Sequence, residues 1–230
     1  MLHKTSGIVI SYILYRETSI IVKVYTEKFG IQTYIENGVR SSKGKNKIAL
    51  FQPLTILDLV VYHDPKKDIN RLSEIKCPNP LLSIPYNIKK SSIALFINEI
   101  LSKSLKEHAE NIEMYNFLIT SIDSLDKKET QFENFHLVFL LHFAFYIGFG
   151  AESATEIKNQ LYEFALQIPI DKVHESSINL LLKSNYEDFL PLKREHRSQV
   201  LDILIGFYQI HIEGFGEIKS VSVLKTVLDS

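Results

Sequence analysis

Residues 30–62 organise the chain: they read GIQTYIE at Gly30–Glu36, NGVRSSKGKNK at Asn37–Lys47 and LTILDLVVY at Leu54–Tyr62. The first and third segments are rich in β-branched and aromatic residues, which is typical of strands. Glycine, serine and asparagine in the connector favour a loop that does not pack into a core. The pattern therefore predicts two strands joined by a polar loop.

The connector is strongly basic, and no acidic residue occurs between residues 37 and 57. Its four cations fall within eight residues: Arg40, Lys43, Lys45 and Lys47. A cationic loop between two strands can hold a polyanion without reading its sequence. The alternative is a solvated loop whose lysines only keep the protein soluble.

Three further segments have strand-like sequences: Ile8–Tyr15, Ser19–Thr26 and Ile69–Ile75. Polar segments separate these five stretches, and Pro53, which leads into Leu54–Tyr62, suits the first residue of a strand. Five short strands within about eighty residues predict a small barrel or a sandwich.

Alternation assigns faces to the two strands before the loop. In Ser19–Thr26 it places Ile20, Val22 and Val24 on the core face and Ile21, Lys23 and Tyr25 on the other face. In Gly30–Glu36 it places Ile31, Thr33 and Ile35 inside and Tyr34 outside. Outward aromatics beside cations are the usual recipe for binding single strands of nucleic acid. The alternative is that each tyrosine packs under a loop or against the helical half.

The pattern changes near residue 80, at Pro78-Asn79-Pro80, and apolar residues then recur at helical spacing. Predicted helices cover 93–105, 112–125, Phe132–Gly148, Glu152–Ala165, Ser176–Leu182, Gln199–Ile212 and Val221–Leu228. The segment Phe132–Gly148 is apolar on nearly every side, which predicts a helix surrounded by others. Because it contains His136 and His142, a buried helix is expected rather than a membrane span.

Charge divides unevenly along the chain. Residues 1–80 hold 12 lysines and arginines against 7 acids, a net charge of +5, and residues 81–230 hold 14 against 20, a net charge of −6. Anion binding is therefore expected in the front half.

Several classes of function lack support in the sequence. The single cysteine, Cys77, excludes an internal disulfide and a zinc site built on several cysteines. Neither a Gly-x-Ser-x-Gly elbow nor a phosphate-cradling glycine loop is present, and the eight histidines are scattered. The N-terminus lacks the features of a signal peptide. No metal, no cofactor and no catalytic residue is predicted.

Several segments resemble the RecO family of bacterial recombination mediators. They are, in order, Glu17-Thr18-Ser19, Thr26-Glu27 with Gly30, Gly38 and Arg40 leading into the basic loop, the run 49–55 (Ala-Leu-Phe-Gln-Pro-Leu-Thr), the run 97–101 in the first helix, and Lys219-Ser220. Their order and spacing, rather than any one motif, carry the resemblance. It touches most of the chain and is dense to about residue 105.

The resemblance implies an all-β N-terminal OB-fold barrel, here residues 1–79, followed by an all-α C-terminal helical domain, residues 80–230. It implies a cytoplasmic, nucleoid-associated DNA repair protein that is not an enzyme. Such a protein binds single- and double-stranded DNA, anneals complementary strands and, with RecR, helps load RecA onto strands coated by single-strand-binding protein. By position, Arg40, Lys43, Lys45 and Lys47 match the family's basic loop and are the predicted DNA contacts. Lys23 and Tyr34 join them from face geometry.

Two departures from the family matter. Many members carry four zinc-binding cysteines in the rear half, and this chain has none there. In some relatives basic residues open the central helix and help hold the acidic tail of single-strand-binding protein, whereas Gln131-Phe132-Glu133-Asn134 carries no cation here. Either that contact is weak or its cations come from other positions, for which the candidates are Lys103, Lys106, Arg194 and Arg197.

Two other functions stay open at this point. One is a protein–protein adaptor of the recombination machinery with little DNA affinity of its own. The other is a hydrolase whose site the motifs do not reveal.

Overall fold

The computed structural model describes residues 1–41, 47–166 and 168–229. The chain divides into two compact units, Met1–Ser83 with Ile100–Asp123, and Ile84–Glu99 with Ser124–Ser230. The change from strands to helices falls near residue 80, where it was predicted. Because the end of the first helix and most of the next belong to the unit of the strands, a boundary at residue 79 between independently folding domains stays a prediction.

Five strands form a closed barrel in the order β1-β2-β3-β5-β4: β1 Leu2–Tyr15, β2 Ser19–Thr26, β3 Gly30–Glu36, β4 Ile56–Tyr62 and β5 Asn70–Lys76. All neighbouring pairs are antiparallel except β3 and β5, which run parallel. This order is that of the OB-fold, a five-stranded Greek-key barrel. The predicted OB-fold barrel is confirmed, and the sandwich alternative is excluded.

The first strand is longer than predicted because it pairs with two neighbouring strands. Its beginning pairs with β4, from Leu2 opposite Tyr62, and its end pairs with β2, to Tyr15 opposite Ser19. Polar side chains at the outer face of its beginning hide the strand pattern in the sequence. A bulge between Val9 and Ser11 bends the strand from one neighbour to the other.

The barrel core contains the side chains that alternation placed inside on β2. Ile20, Val22 and Val24 are fully buried, together with Leu57 and Val61 of β4. Fully burying a side chain of this size contributes about 1.5–3 kcal/mol of hydrophobic free energy. The inward face of β2 was therefore predicted correctly.

Helices fill the rest of the chain: α1 Ile88–Ser104, α2 Ile112–Lys127, α3 Phe135–Tyr146, α4 Ala154–Glu163, α5 Lys172–Lys183, α6 Arg194–His211 and α7 Ser220–Asp229. Four of the described helices have side-chain N-caps. The Asn87 side-chain oxygen accepts from the N–H groups of Lys89 and Lys90 at the start of α1, and that of Asn111 accepts from the Met114 N–H at the start of α2. The Ser153 hydroxyl accepts from the Glu156 N–H at 3.2 Å, and Asp171 forms a capping box with His174. The all-α character of the C-terminal part is confirmed.

Helix α3 is buried on nearly every side, as its sequence predicts. Tyr208 of α6 donates a hydrogen bond from its hydroxyl to the Leu140 carbonyl at 2.7 Å. The ring of His136 meets Phe96 of α1 edge-on, with centroids 5.8 Å apart. Among the described helices, none is both long enough and apolar enough to cross a membrane.

The burial of His136 makes the stability of its unit depend on pH. Desolvation, together with the nearby positive charge of Arg197, lowers the pKa of His136 to about 3, against 6.5 for an exposed histidine. Below pH 6.5 the unfolded chain binds a proton that the folded one does not. We therefore expect this residue to reduce the free energy of unfolding by on the order of 1 kcal/mol per pH unit as the pH falls from about 6.5 towards about 3.

Urea unfolding of the protein and of His136→Leu between about pH 7 and about pH 4.5 measures this dependence. The difference between the two free energies should shift in favour of the variant as the pH falls. If the two free energies of unfolding changed with pH in parallel, the His136 imidazole would be gaining its proton while the protein stays folded.

Candidate nucleic-acid interface

The β3–β4 connector is anchored at its start by Arg40. The Arg40 N–H donates to the Thr18 carbonyl at 3.1 Å, and its guanidinium donates to the carbonyl of Arg16. These bonds hold the connector against the turn between β1 and β2. Arg40 thus serves as a structural clamp as well as a candidate phosphate contact.

A tight turn, from Gly38 to Ser41, forms the start of the connector. Gly38 has a φ of +72°, a conformation that favours glycine, and its carbonyl accepts from the Ser41 hydroxyl at 2.8 Å. The Ser19 hydroxyl donates to the Asn37 side-chain oxygen at 2.8 Å. Beside them, Val39 is fully buried in the barrel core. Lys43 and Lys45, two of the predicted DNA contacts, lie outside the described residues.

Lys47 begins a short 3-10 turn, Lys47–Phe51, whose Phe51 is buried in the core. The Lys47 ammonium lies 3.5 Å from the carboxylate of Glu36, and its side chain is 54% exposed. Burial raises the pKa of Glu36, and the charges of Lys47 and Arg71 partly offset that effect. Because solvent screens the exposed ammonium of this pair, the contact with Glu36 does not prevent Lys47 from meeting a phosphate.

Tyr34 does not face outward as predicted. Its side chain is fully buried among the core residues, and Gln32 is buried on the same side, while Ile35 is only partly buried. Desolvation raises the pKa of Tyr34 well above its usual value. The prediction that Tyr34 stacks on nucleic acid is therefore wrong, because its ring fills the barrel interior.

Lys23 lies on the outer face of β2, opposite Ser11 of β1 and Thr33 of β3. Its neighbour Tyr25 is covered instead: its ring stacks on Tyr115 of α2 with centroids 6.2 Å apart. Burial raises the pKa of both tyrosines to about 12. The alternative in which Tyr25 packs against a helix is confirmed, and Lys23 keeps its place on the outer face.

The four candidate partner contacts do not share one environment. Lys103 and Lys106 belong to the barrel unit, at and just beyond the end of α1, and Arg194 is exposed at the start of α6. Arg197 is only 9% exposed, and its guanidinium donates to the Leu228 carbonyl at 3.3 Å. The prediction that Arg197 belongs to an exposed rim is wrong, because its side chain ties α6 to the end of α7.

Strand register brings together a set of residues that sequence reasoning missed. Ile13 is opposite Ile21, Ile21 opposite Ile35, Ile35 opposite Arg71, and Arg71 opposite Tyr62. We call these five residues the cross-barrel row. Partners in register share a face, and all five lie on the outside. Only knowledge of the register between β3 and β5 would have revealed the row.

Two cations, the partly exposed Lys23 and the exposed Arg16, lie close to this row. Lys23 is two residues from Ile21 on the same face of β2, and Arg16 follows the end of β1 with its guanidinium 5.1 Å from the ring centroid of Tyr15. Within the described ranges, no group of three or more histidine, cysteine, aspartate or glutamate side chains is arranged to hold a metal ion. The described residues in and beside the cross-barrel row thus include both cations and apolar side chains.

The fold and this surface define an OB-fold protein with a cationic β3–β4 connector. Two family models match it: "Recombination protein O N terminal" over residues 1–81 and "Recombination protein O C terminal" over residues 85–160.

Similar chains have the same name in several bacteria. A DNA repair protein RecO of Flavobacterium psychrophilum is 38% identical over 97% of this chain and 98% of its own. Those of Phocaeicola vulgatus and Bacteroides fragilis are each 34% identical, over 98% and 100% of both chains. The chain belongs to the RecO family of DNA repair proteins.

The inward position of Tyr34 predicts a large effect on stability. Tyr34→Ala should lower the free energy of unfolding by about 3–5 kcal/mol, because it removes a large buried ring from the barrel core. Chemical denaturation followed by circular dichroism measures this decrease.

Thr33→Ala, which alters the preceding residue on the opposite face, is the matched control. It should change the free energy of unfolding by about 0.5 kcal/mol or less. Equal effects of the two substitutions would contradict the reversed orientation of β3.

Proposed function

We propose that this protein is a recombination mediator that binds single- and double-stranded DNA through its OB-fold barrel and anneals complementary strands. The single observation that carries the proposal is the clamped cationic connector on the barrel, in a chain of the RecO family. Its chemistry is counterion release and strand pairing rather than bond cleavage. The proposed contacts are Arg40, Lys43, Lys45 and Lys47, with Lys23 on the neighbouring strand.

Electrostatics favours phosphates as the ligand of this surface. From Asn37 to Leu57 the sequence has no acid, and Lys47 forms its ion pair with Glu36, which precedes the connector. Each lysine or arginine that neutralises a phosphate releases condensed counterions, which supplies affinity without reading the base sequence. This is the binding mode that a repair protein needs, because damage occurs at any sequence.

Annealing follows from the same charges. Two complementary strands repel each other through their phosphates, and cations that contact both strands lower that repulsion. The Arg40 clamp fixes the start of the connector on the barrel, and Lys47 lies at the end of the basic segment beside Glu36 of β3.

The partners belong to the same proposal. We propose that the protein acts with RecR and with single-strand-binding protein. Together with RecR, it helps load RecA onto strands that are coated by single-strand-binding protein. Lys103, Lys106 and Arg194 remain candidate contacts for the acidic tail of single-strand-binding protein.

Removing the connector lysines should weaken DNA binding and flatten its salt dependence. The triple variant Lys43→Ala, Lys45→Ala and Lys47→Ala should bind a labelled single strand roughly 100-fold more weakly at low salt, on the order of 1 kcal/mol per phosphate contact. The slope of log K against log salt should fall by about 0.7 for each lysine that binds a phosphate in the unaltered protein. Fluorescence anisotropy of the isolated protein across a salt titration measures both.

The matched control removes three exposed lysines from the helical part, Lys172→Ala, Lys183→Ala and Lys193→Ala, with the same change in net charge. It should bind nearly as the unaltered protein does. A binding isotherm with no salt slope, or a connector variant that binds normally, would remove the connector from the mechanism. Absence of DNA binding by the unaltered protein would favour the adaptor function.

A further inference from the structure

The cross-barrel row forms a track of apolar, aromatic and cationic side chains on the outside of the barrel. Four strand-to-strand steps of about 4.8 Å give it a length of roughly 19 Å. Its two ends are well exposed, Ile13 to 62% and Tyr62 to 48%. Isolated exposed apolar residues are ordinary on protein surfaces, but five aligned residues from five strands form a patch.

Two hollows flank Tyr62 and Arg71, which line both. One has a volume of about 260 Å³ and is also lined by Ile35, His63 and Lys67. The other has a volume of about 220 Å³ and is also lined by Glu36 and Asn37. Tyr62 therefore stands between two recesses, with a guanidinium beside it.

The chemistry of the row suits unpaired nucleotides. Tyrosine offers a ring face on which a base can stack whatever its identity, and isoleucine covers the faces of neighbouring bases. Arginine stacks on planar groups and also binds phosphate in a bidentate manner. In a duplex the base faces are already stacked on each other, so only an unpaired strand can use these contacts.

The charge around the row matches a phosphate backbone. Arg71 lies within the row, Lys23 lies beside it on β2 and Arg16 is exposed beyond the end of β1. Each of the acids on the two hollows has a lysine nearby: Glu36 lies 3.5 Å from Lys47, and Asp64 lies 3.9 Å from Lys67. The surface is therefore favourable for a polyanion that also presents apolar faces.

We propose that the cross-barrel row, centred on Tyr62 and Arg71, is the surface that contacts the bases of single-stranded DNA. The inference rests on the proposed function and deepens it. The connector cations capture phosphates of any DNA, and the row adds affinity that only an unpaired strand can gain. Tyr62 is thus the specificity-determining residue for single strands over duplexes, whereas Arg71 adds a phosphate contact that either form of DNA can use.

The test compares Tyr62→Ser with Tyr62→Phe, which keeps the ring face. The probes are a labelled oligonucleotide of about 16 thymidines, the upper end of the site size for one OB-fold, and a labelled duplex of the same length. Because Tyr62→Ser removes the ring on which one base stacks, its Kd for the single strand should be about tenfold higher than that of the unaltered protein. Its Kd for the duplex and its salt slope should stay unchanged, and Tyr62→Phe should bind as the unaltered protein does.

Two further variants sharpen the readout. Arg71→Gln should weaken binding of both probes and lower the salt slope by about one, as a phosphate contact would. Tyr162→Ser is the matched control, since Tyr162 of α4 is 50% exposed and lies outside the barrel. It should leave both affinities unchanged.

The outcomes separate the two proposals. If the unaltered protein binds neither probe, the proposed function and this inference are both overturned. If it binds both probes and Tyr62→Ser still binds the single strand normally, only the inference is overturned, and a protein partner becomes the better occupant of the row. Equal weakening of single-strand and duplex binding by Tyr62→Ser would also overturn it, because stacking on bases cannot account for that result.

Discussion

The barrel depends on one strand that pairs with two neighbours. Gly7 and Ile8 of β1 are opposite residues of both β2 and β4, which closes the sheet on itself. At the bend, Val9 exchanges two backbone hydrogen bonds with the segment before β4, at 2.8 Å with Leu54 and 2.9 Å with Thr55. A side chain at Gly7 would begin 2.6 Å from a methyl group of Val24, so the close approach of the strands requires glycine. Closure removes the exposed strand edges that an open sheet would leave.

Closure also determines which residues meet on the outside. The parallel contact between β3 and β5 has only two pairs, Tyr34 with Asn70 and Ile35 with Arg71. Tyr34 and Asn70 point inward, and the Asn70 side-chain oxygen accepts from the Asp64 N–H at 2.9 Å, which fixes the turn between β4 and β5. The next pair then points outward and joins the isoleucines of β2 and β3 to Arg71 and Tyr62. The same two pairs thus complete the core and align the cross-barrel row.

Sequence patterns were sufficient for the elements and insufficient for their outer contacts. The bounds of β2 and β3 were predicted to the residue, because β-branched runs between polar turns are local signals. Which face of β3 points into the barrel was not predicted correctly. Gly30–Glu36 has apolar residues on both faces, and tyrosine suits either environment. The position of Arg197 was also predicted wrongly. A charged residue in an amphipathic helix normally lies on the surface, whereas the buried hydrogen bond from Arg197 to the Leu228 carbonyl results from tertiary packing.

The cross-barrel row lay beyond sequence reasoning for a different reason. Its members are far apart in the chain, and they meet only through the register of β3 with β5. The basic connector, by contrast, is contiguous and could be found by inspection. Charge clusters are visible in a sequence when they are local, whereas a surface assembled from five strands requires the closed sheet.

The two proposed kinds of contact, to phosphates and to base faces, would have different consequences for a protein that anneals strands. Phosphate contacts alone would hold the duplex product at least as firmly as its single strands, because the duplex carries one charge per about 1.7 Å of its axis. A protein of that kind would be trapped on its product. Contacts to base faces disappear when the bases pair, so they add affinity for the substrate strands and none for the duplex. A barrel that combines a cationic connector with an apolar row can therefore gather two strands and release them once they are joined.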